Sequence, residues 1–223
     1  MAFRLDFKLM ININNFFTFS STLSSLSVHV YPVGLKEFHP IDPDKIYLFD
    51  EHRLIQGNYN DILFPVRFKQ EYGNKLQDIL DTGWAGLYLI SDKMKSVLEE
   101  NNFTGWKTFP VNVLNKQGQE IKSYHGFSVT GRCGKIDYTK SETIEKRLFI
   151  NGSLTKYYKG LHIGLDEWDN TDFFLPKNCF GIIITKQVCE IFKKNKMSNI
   201  KFVNLADIET DDFTVQTALK NSL

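Results

Sequence analysis

The sequence predicts an α+β domain built on a mixed or antiparallel sheet, and three observations lead there. First, one segment occurs twice: Asp78 to Val113 and Asp172 to Asp207 align without a gap at a fixed offset of 94 residues. Such a repeat constrains architecture before any single element does. Second, each copy runs from an apolar stretch through a helix-patterned stretch into an alternating one, that is, strand, helix, strand. Third, nineteen Phe and nine Tyr supply the bulky residues that favour strands and fill cores.

Within the repeat, identities are few: Asp78/Asp172, Ile90/Ile184, Asn101/Asn195 and Lys107/Lys201. Chemical matches are many, for example Leu89-Ile90 with Ile183-Ile184, Ser91 with Thr185, and Thr104-Gly105-Trp106 with Ser198-Asn199-Ile200. The apolar runs stop at Ser91 and Thr185, whose hydroxyls suit a helix N-cap. Beyond them Met94, Val97 and Leu98, answered by Val188, Ile191 and Phe192, form one helical stripe, with lysines and glutamates off it. Gly105 and Asn199 are the residue types that best tolerate the left-handed conformation closing a helix. A short helix cannot bury its stripe alone, so each unit must pack on a sheet. Asp78 and Asp172 are assigned to capping the local backbone.

Outside the repeat, Ser27 to Tyr31, Ile46 to Phe49 and Ile62 to Phe68 are strand candidates, the last two separated by a polar stretch. Residues 71–81 lead into the first unit through a helical turn. Val111 to Leu114 and Ile121 to Val129 form a hairpin around a Gly-containing loop. Arg147 to Ile150 and Leu161 to Leu165 read as short strands, and Asp211 to Leu219 as a terminal helix. Residues 1–26 read as a flexible leader: three asparagines interrupt the apolar stretch that a signal sequence needs, and a Ser/Thr-rich run follows. A single α+β domain over 27–223, containing units 78–113 and 172–207, is expected.

The 27 basic and 26 acidic residues nearly cancel, which argues against a general nucleic-acid binder. No stretch is long and apolar enough to span a bilayer as a helix. Three cysteines, 133, 179 and 189, with no C-x-x-C spacing, read as small buried hydrophobes in a reducing, cytoplasmic setting. The five histidines (29, 39, 52, 125 and 162) are scattered, so no metal or cofactor is expected. Nucleophile elbows, phosphate loops and dinucleotide fingerprints are absent. A Cys/His/Asp set of His125, Cys133 and Asp137 needs spatial convergence, against the plainer reading of alternating strand residues and a buried thiol. The densest polar cluster runs from Asp166 through Asn170 and Thr171 to Asp172, and its members Asp166, Glu167, Trp168 and Asp169 have no counterpart in the first copy. An acidic loop holding an exposed Trp suits recognition of a basic protein; the alternative is a solvated turn with Trp168 folded back onto the core.

The passages "GLYLISDKMKSVLEENNFTGWKTFPVNV", "YHGFSVTGRCGKIDYTKS" and "DFFLPKNCFGIIITKQVCEIFKKNKMSNIKFVNL" resemble the immunity-protein family first described from a myxobacterial toxin locus and found beside bacterial polymorphic toxins. The resemblance covers roughly residues 60–208 and rests on order and pattern rather than on an invariant motif. It implies a non-catalytic protein that binds and neutralises a cognate toxin, with no binding residues to carry over. The competing expectation is a hydrolase or nucleic-acid-modifying enzyme whose site assembles from scattered residues such as His125, Asp137 and Asp169.

Overall fold

The computed structural model describes residues 12–34, 36–38, 46–147, 152–177, 179, 181–211 and 214–215, with 36–38 and 46–48 as backbone alone. In chain order its elements are β1 (Phe16–Ser21), β2 (His29–Pro32), β3 (Lys36–Phe38), β4 (Ile46–Leu48), α1 (Glu51–Gln56), β5 (Val66–Tyr72), β6 (Ile79–Asp81), β7 (Tyr88–Ser91) and α2 (Asp92–Glu100). There follow β8 (Trp106–Phe109), β9 (Val111–Leu114), β10 (Glu120–Ile121), β11 (Tyr124–Val129), β12 (Gly131–Lys135), β13 (Glu142–Arg147) and β14 (Leu154–Lys159). The chain then forms β15 (Phe173–Lys177), β16 (Ile182–Thr185), α3 (Lys186–Lys194), β17 (Ile200–Asn204) and β18 (Glu209–Asp211). The class is α+β, mostly strand.

Two large sheets carry the fold: five strands in the order β12-β15-β16-β1-β17, and eight in the order β10-β9-β5-β2-β6-β7-β11-β8. The five strands β2-β6-β7-β11-β8 match the smaller sheet position by position. Ile79 faces Ile90 and Leu80 faces Leu89 in one, while Phe173 faces Ile184 and Phe174 faces Ile183 in the other, both at the offset of 94. The inserted strands keep register too: Tyr124 faces Ser91 and Val129 faces Trp106, as Phe16 faces Thr185 and Ser21 faces Ile200. The parallel edge agrees as well, His29 beside Asp81 and Arg132 beside Leu175. One link differs. Between β1 and β2 the chain spends residues 22–27 where Thr130 alone serves between β11 and β12 in the matched frame.

Reciprocal bonds join the two sets. Asp78 accepts from the Ser198 N–H (2.8 Å) and hydroxyl (2.8 Å) and from the Ser91 hydroxyl (2.9 Å). Asp172 accepts from the Thr104 N–H (2.9 Å) and hydroxyl (3.0 Å) and from the Thr185 hydroxyl (3.1 Å). Capping by these aspartates is therefore partly local and partly across to the other unit. Gly105, at φ 81°, sits where a Cβ would lie 2.1 Å from the Phe173 carbonyl oxygen, so only glycine fits. At the matched position Asn199, φ 62°, uses its side chain to donate to the Ile79 carbonyl at 2.8 Å.

The helices form where the apolar spacing placed them. Met94, Val97 and Leu98 of α2 are buried, as are Val188, Cys189 and Phe192 of α3. Ser91 caps α2 by accepting from Met94 N–H. Thr185 makes no such bond, although its hydroxyl donates to Asp172 as that of Ser91 donates to Asp78. One core cluster draws on both sheets, and fully burying one of its Phe side chains contributes about 2–3 kcal/mol.

Several sequence expectations are corrected. The span 1–26 is not a leader throughout: Phe16–Ser21 is β1, hydrogen-bonded between β16 and β17. Phe16 and Phe19 are buried there, and Phe19 lies among the rings of Tyr88, Phe127, Phe173, Phe192 and Phe202 at 5.9–6.4 Å between centroids. Its two buried phenylalanines, Phe16 and Phe19, point to opposite faces and fill two different clusters, which a polarity average over residues 1–26 conceals. Residues 1–11 lie outside the described residues. The strand expected at 62–68 begins at Val66, and the polar stretch before it holds α1, capped by Asp50. The approach at 71–81 holds no helical turn: it is strand at 71–72 and 79–81 with a loop between. Only β9 and β10 form the expected hairpin; β11 pairs with β7 and β8 instead. Leu161 to Leu165 is not a strand, and β14 is the partner of β13. Of the two remaining expectations, 148–150 lies outside the described residues, and within 211–219 only Thr214 and Val215 are described as helical.

Candidate interaction face and cleft

Each catalytic candidate is held apart in its own local bonding. His125, on β11, places Nε2 2.6 Å from Asp92 Oδ1, and this bond holds the Asp92 carboxyl below its usual range. Cys133, on β12 of the other sheet, is buried, and burial pushes its thiol up to about 12, the reverse of what a nucleophile needs. Asp137 caps the turn at 138–140 and pairs with Lys140 at 3.0 Å. Asp169 accepts from the Arg132 N–H at 2.8 Å. Among the described residues, no group of three potential metal ligands comes together. His29 is flanked by Asp81 and Glu71 at 3.1 Å each and stacks on Tyr72, with Nδ1 off the line of a good hydrogen bond to Glu71. That arrangement offers a serine hydroxyl only to Asp81, from Ser21 at 2.8 Å, and not to the imidazole.

The acidic loop folds inward at its aromatic residue. Trp168 is half-buried, its ring edge-on to Phe16 at 5.3 Å and tilted against Phe174 at 5.5 Å, while its Nε1–H donates to the Thr171 carbonyl at 3.1 Å. The exposed anchor expected from sequence is thus replaced by the folded-back alternative, because Phe16 of the unforeseen β1 offers it a surface. Asp166, Glu167 and Asp169 stay exposed, with Glu167 paired to Lys177.

The apolar surface lies elsewhere. Leu23, Leu26 and Leu76 are 73%, 65% and 52% exposed, with Tyr72 at 42% and Trp84 at 40%. The longer link at 22–27 runs beside 73–77: the Leu26 carbonyl accepts from Asn74 and Lys75 N–H at 3.1 and 3.0 Å, and Val28 N–H donates to the Lys75 carbonyl at 2.9 Å. Leu23 holds a left-handed φ of 53°, uncommon for a residue with a branched side chain and costly without a compensating role. Beside Leu76 opens a cleft of about 370 Å³, lined by Gln77, Asp78, Lys93, Lys122, Tyr124 and neighbouring serines. Burial pushes the Tyr124 hydroxyl up to about 12, and it donates to the Gln77 carbonyl at 2.7 Å. Of the three exposed leucines Leu76 lines this opening, and Leu26 is tied beside it through the bonds to Asn74 and Lys75. Sequence reasoning missed them because Leu23 and Leu26 sit inside the Ser/Thr-rich run assigned to the leader. The signal that could have found them is the alternation of large apolar and small polar residues from Phe16 onward.

Among the described residues, no helix is long and apolar enough to cross a membrane. No curated protein matches the chain. A comparison with known families matches residues 24–207, more than four fifths of the sequence, to the immunity protein family Imm11. The chain belongs to that immunity protein family.

Proposed function

We propose that this protein neutralises a cognate bacterial polymorphic toxin by binding it in the cytoplasm, without catalysis and without a cofactor, as a single α+β domain. Residues 78–113 and 172–207 are read as copies of one duplicated scaffold. Duplication leaves most of each unit committed to the other, so the places where the copies differ are the ones free to specialise. The observation that carries the reading is the exposed leucines at such a place: the longer link at 22–27 holds Leu23 and Leu26 in solvent, and Leu26 is bonded to Asn74 and Lys75 next to the exposed Leu76. Exposed apolar patches rimmed by polar residues mark protein interaction sites. A second contact surface is the acidic edge Asp166, Glu167 and Asp169 around Trp168, favoured by its exposed carboxylates and suited to a basic toxin. Calorimetric titration of the toxin with the leucine variant Leu23→Asp and the acidic variant Asp166→Lys separates the two surfaces. The leucine reading expects Leu23→Asp to weaken binding by at least about tenfold and Asp166→Lys to slow association alone. The reverse result moves the interface to the acidic edge.

A further inference from the structure

The two matched sheets differ in how one spot is covered. In the five-stranded sheet Trp168 lies on Phe16 and gives its N–H to the Thr171 carbonyl. The counterparts in the larger sheet are Tyr124, which faces Ser91 as Phe16 faces Thr185, and Gln77, which precedes Thr171 by the offset of 94. There the Tyr124 hydroxyl takes the carbonyl that the indole takes in the other copy. Tyr124 has no ring partner among the described residues, and the cleft of about 370 Å³ opens against it. One copy is plugged by its own tryptophan. The other is open.

The charges around the two spots also differ. The plug arrives between carboxylates, Glu167 and Asp169, and Glu167 meets Lys177. At the open spot Asp92 is engaged by His125, and Asp78 by Ser91, Ser198 and Lys93. Lys122 on the rim is exposed and has no ion-pair partner among the described residues. The uncommitted charge of the cleft is therefore positive, and it sits beside the exposed Leu76.

We propose that the cleft receives an aromatic side chain flanked by carboxylates on the toxin, seated against Tyr124 and Gln77 as Trp168 is seated against Phe16 and Thr171. The proposal rests on the toxin-binding reading above and names the chemistry of the partner's contact. The volume lies at the low end of the range of about 300–1,000 Å³ for ligand sites, enough for one ring with its flanks outside. The carboxylates meet Lys122, and the leucines of the longer link widen the contact.

The test has two arms. The first titrates the full chain, followed by amide NMR, with a capped peptide of sequence Asp-Glu-Trp-Asp, and in parallel with the same peptide carrying Ala for Trp. Saturable shifts confined to the cleft-lining residues, seen with the Trp peptide and at least about tenfold weaker with the Ala peptide, are expected. The exposed variant Lys122→Glu weakens the Trp peptide further. The second arm measures toxin affinity of Leu76→Asp and Lys122→Glu, both surface changes that leave the core intact, and expects a loss of at least about tenfold in each. Equal shifts from both peptides, or unchanged toxin affinity in the folded variants, overturns the proposal while leaving toxin binding intact. A wild-type chain that takes the peptide in its cleft but leaves the toxin unbound sinks the immunity reading instead.

Discussion

Replacing Asp78 by Ala removes one end of the reciprocal bonding between the two units. The carboxylate loses the Ser198 N–H, the Ser198 and Ser91 hydroxyls, and Lys93 at 3.4 Å. The backbone N–H is the costly loss, since hydrogen bonds to a charged group contribute about 1.5–3 kcal/mol and this donor has no other acceptor in the pair. The hydroxyls can rotate to other acceptors, for about 0.5–1.5 kcal/mol each, and the half-exposed Lys93 adds at most about 1 kcal/mol. Because these partners share one carboxylate, the terms do not add fully, and a loss of about 3 kcal/mol is expected. In a domain of this size that lowers the melting midpoint by roughly 6–12 °C. Burial alone would raise the Asp78 pKa, but the Ser198 and Ser91 bonds and the Lys93 charge outweigh it and hold it below the usual range. The stabilisation is therefore present at neutral pH and disappears as pH falls through the ordinary aspartate range and below. Urea melts of wild type and Asp78→Ala at neutral pH and in acid check this, with Ser198→Ala completing a double-mutant cycle. The difference should narrow in acid, and the two substitutions should couple by at least about 1 kcal/mol. A neutral-pH loss below about 1 kcal/mol, or full additivity with Ser198→Ala, refutes the reasoning.

Other consequences are equally direct. Phe19→Ala should cost about 3–5 kcal/mol in denaturant unfolding, and deletion of residues 1–26 should abolish the cooperative transition, because β1 is the strand between β16 and β17. Trp168→Ala should lower stability by about 2 kcal/mol, less than a fully buried indole, and leave toxin affinity unchanged; a folded variant with weakened toxin binding would return Trp168 to the interface. Cys133 should resist thiol reagents in the native protein at pH 8, where a thiol raised to about 12 is ionised in only about one molecule in ten thousand; mass spectrometry of labelled protein would show prompt modification if this is wrong.

What the sequence disclosed follows from which signals are local. The α2 stripe, most of the α3 stripe (Cys189 is buried where Ile191 is half-buried) and the stop at Ser91 are written in spacing and residue type. Gly105 and Asn199 are left-handed as expected but do not close the helices, which end at Asn101 and Asn195 with left-handed Asn102 and Lys196 behind them. The partners of Asp78 and Asp172 lie across the molecule, so sequence suggests a local cap and misses Ser198 and Thr104. β1 was missed for a related reason: its buried Phe16 and Phe19 serve different clusters, and the Ser/Thr-rich run after it masks the short alternation from Phe16 onward. The acidic loop could be found as a cluster of charges, but the direction of Trp168 depends on Phe16, reached only by folding. For the exposed leucines the alternation from Phe16 onward marks extended chain at most, because exposure itself is a property of the assembled sheets.

The central claim is that this immunity protein acts by occupying its toxin through the face around Leu23, Leu26 and Leu76. The most direct measurement is an activity titration of the cognate toxin with purified wild-type and Leu23→Asp protein. The account predicts inhibition by wild type that saturates at a fixed molar ratio, with the toxin recovered chemically intact, and inhibition by Leu23→Asp displaced by at least about tenfold in concentration. Inhibition by trace amounts with turnover of the toxin, or an undisplaced curve for the folded variant, contradicts it.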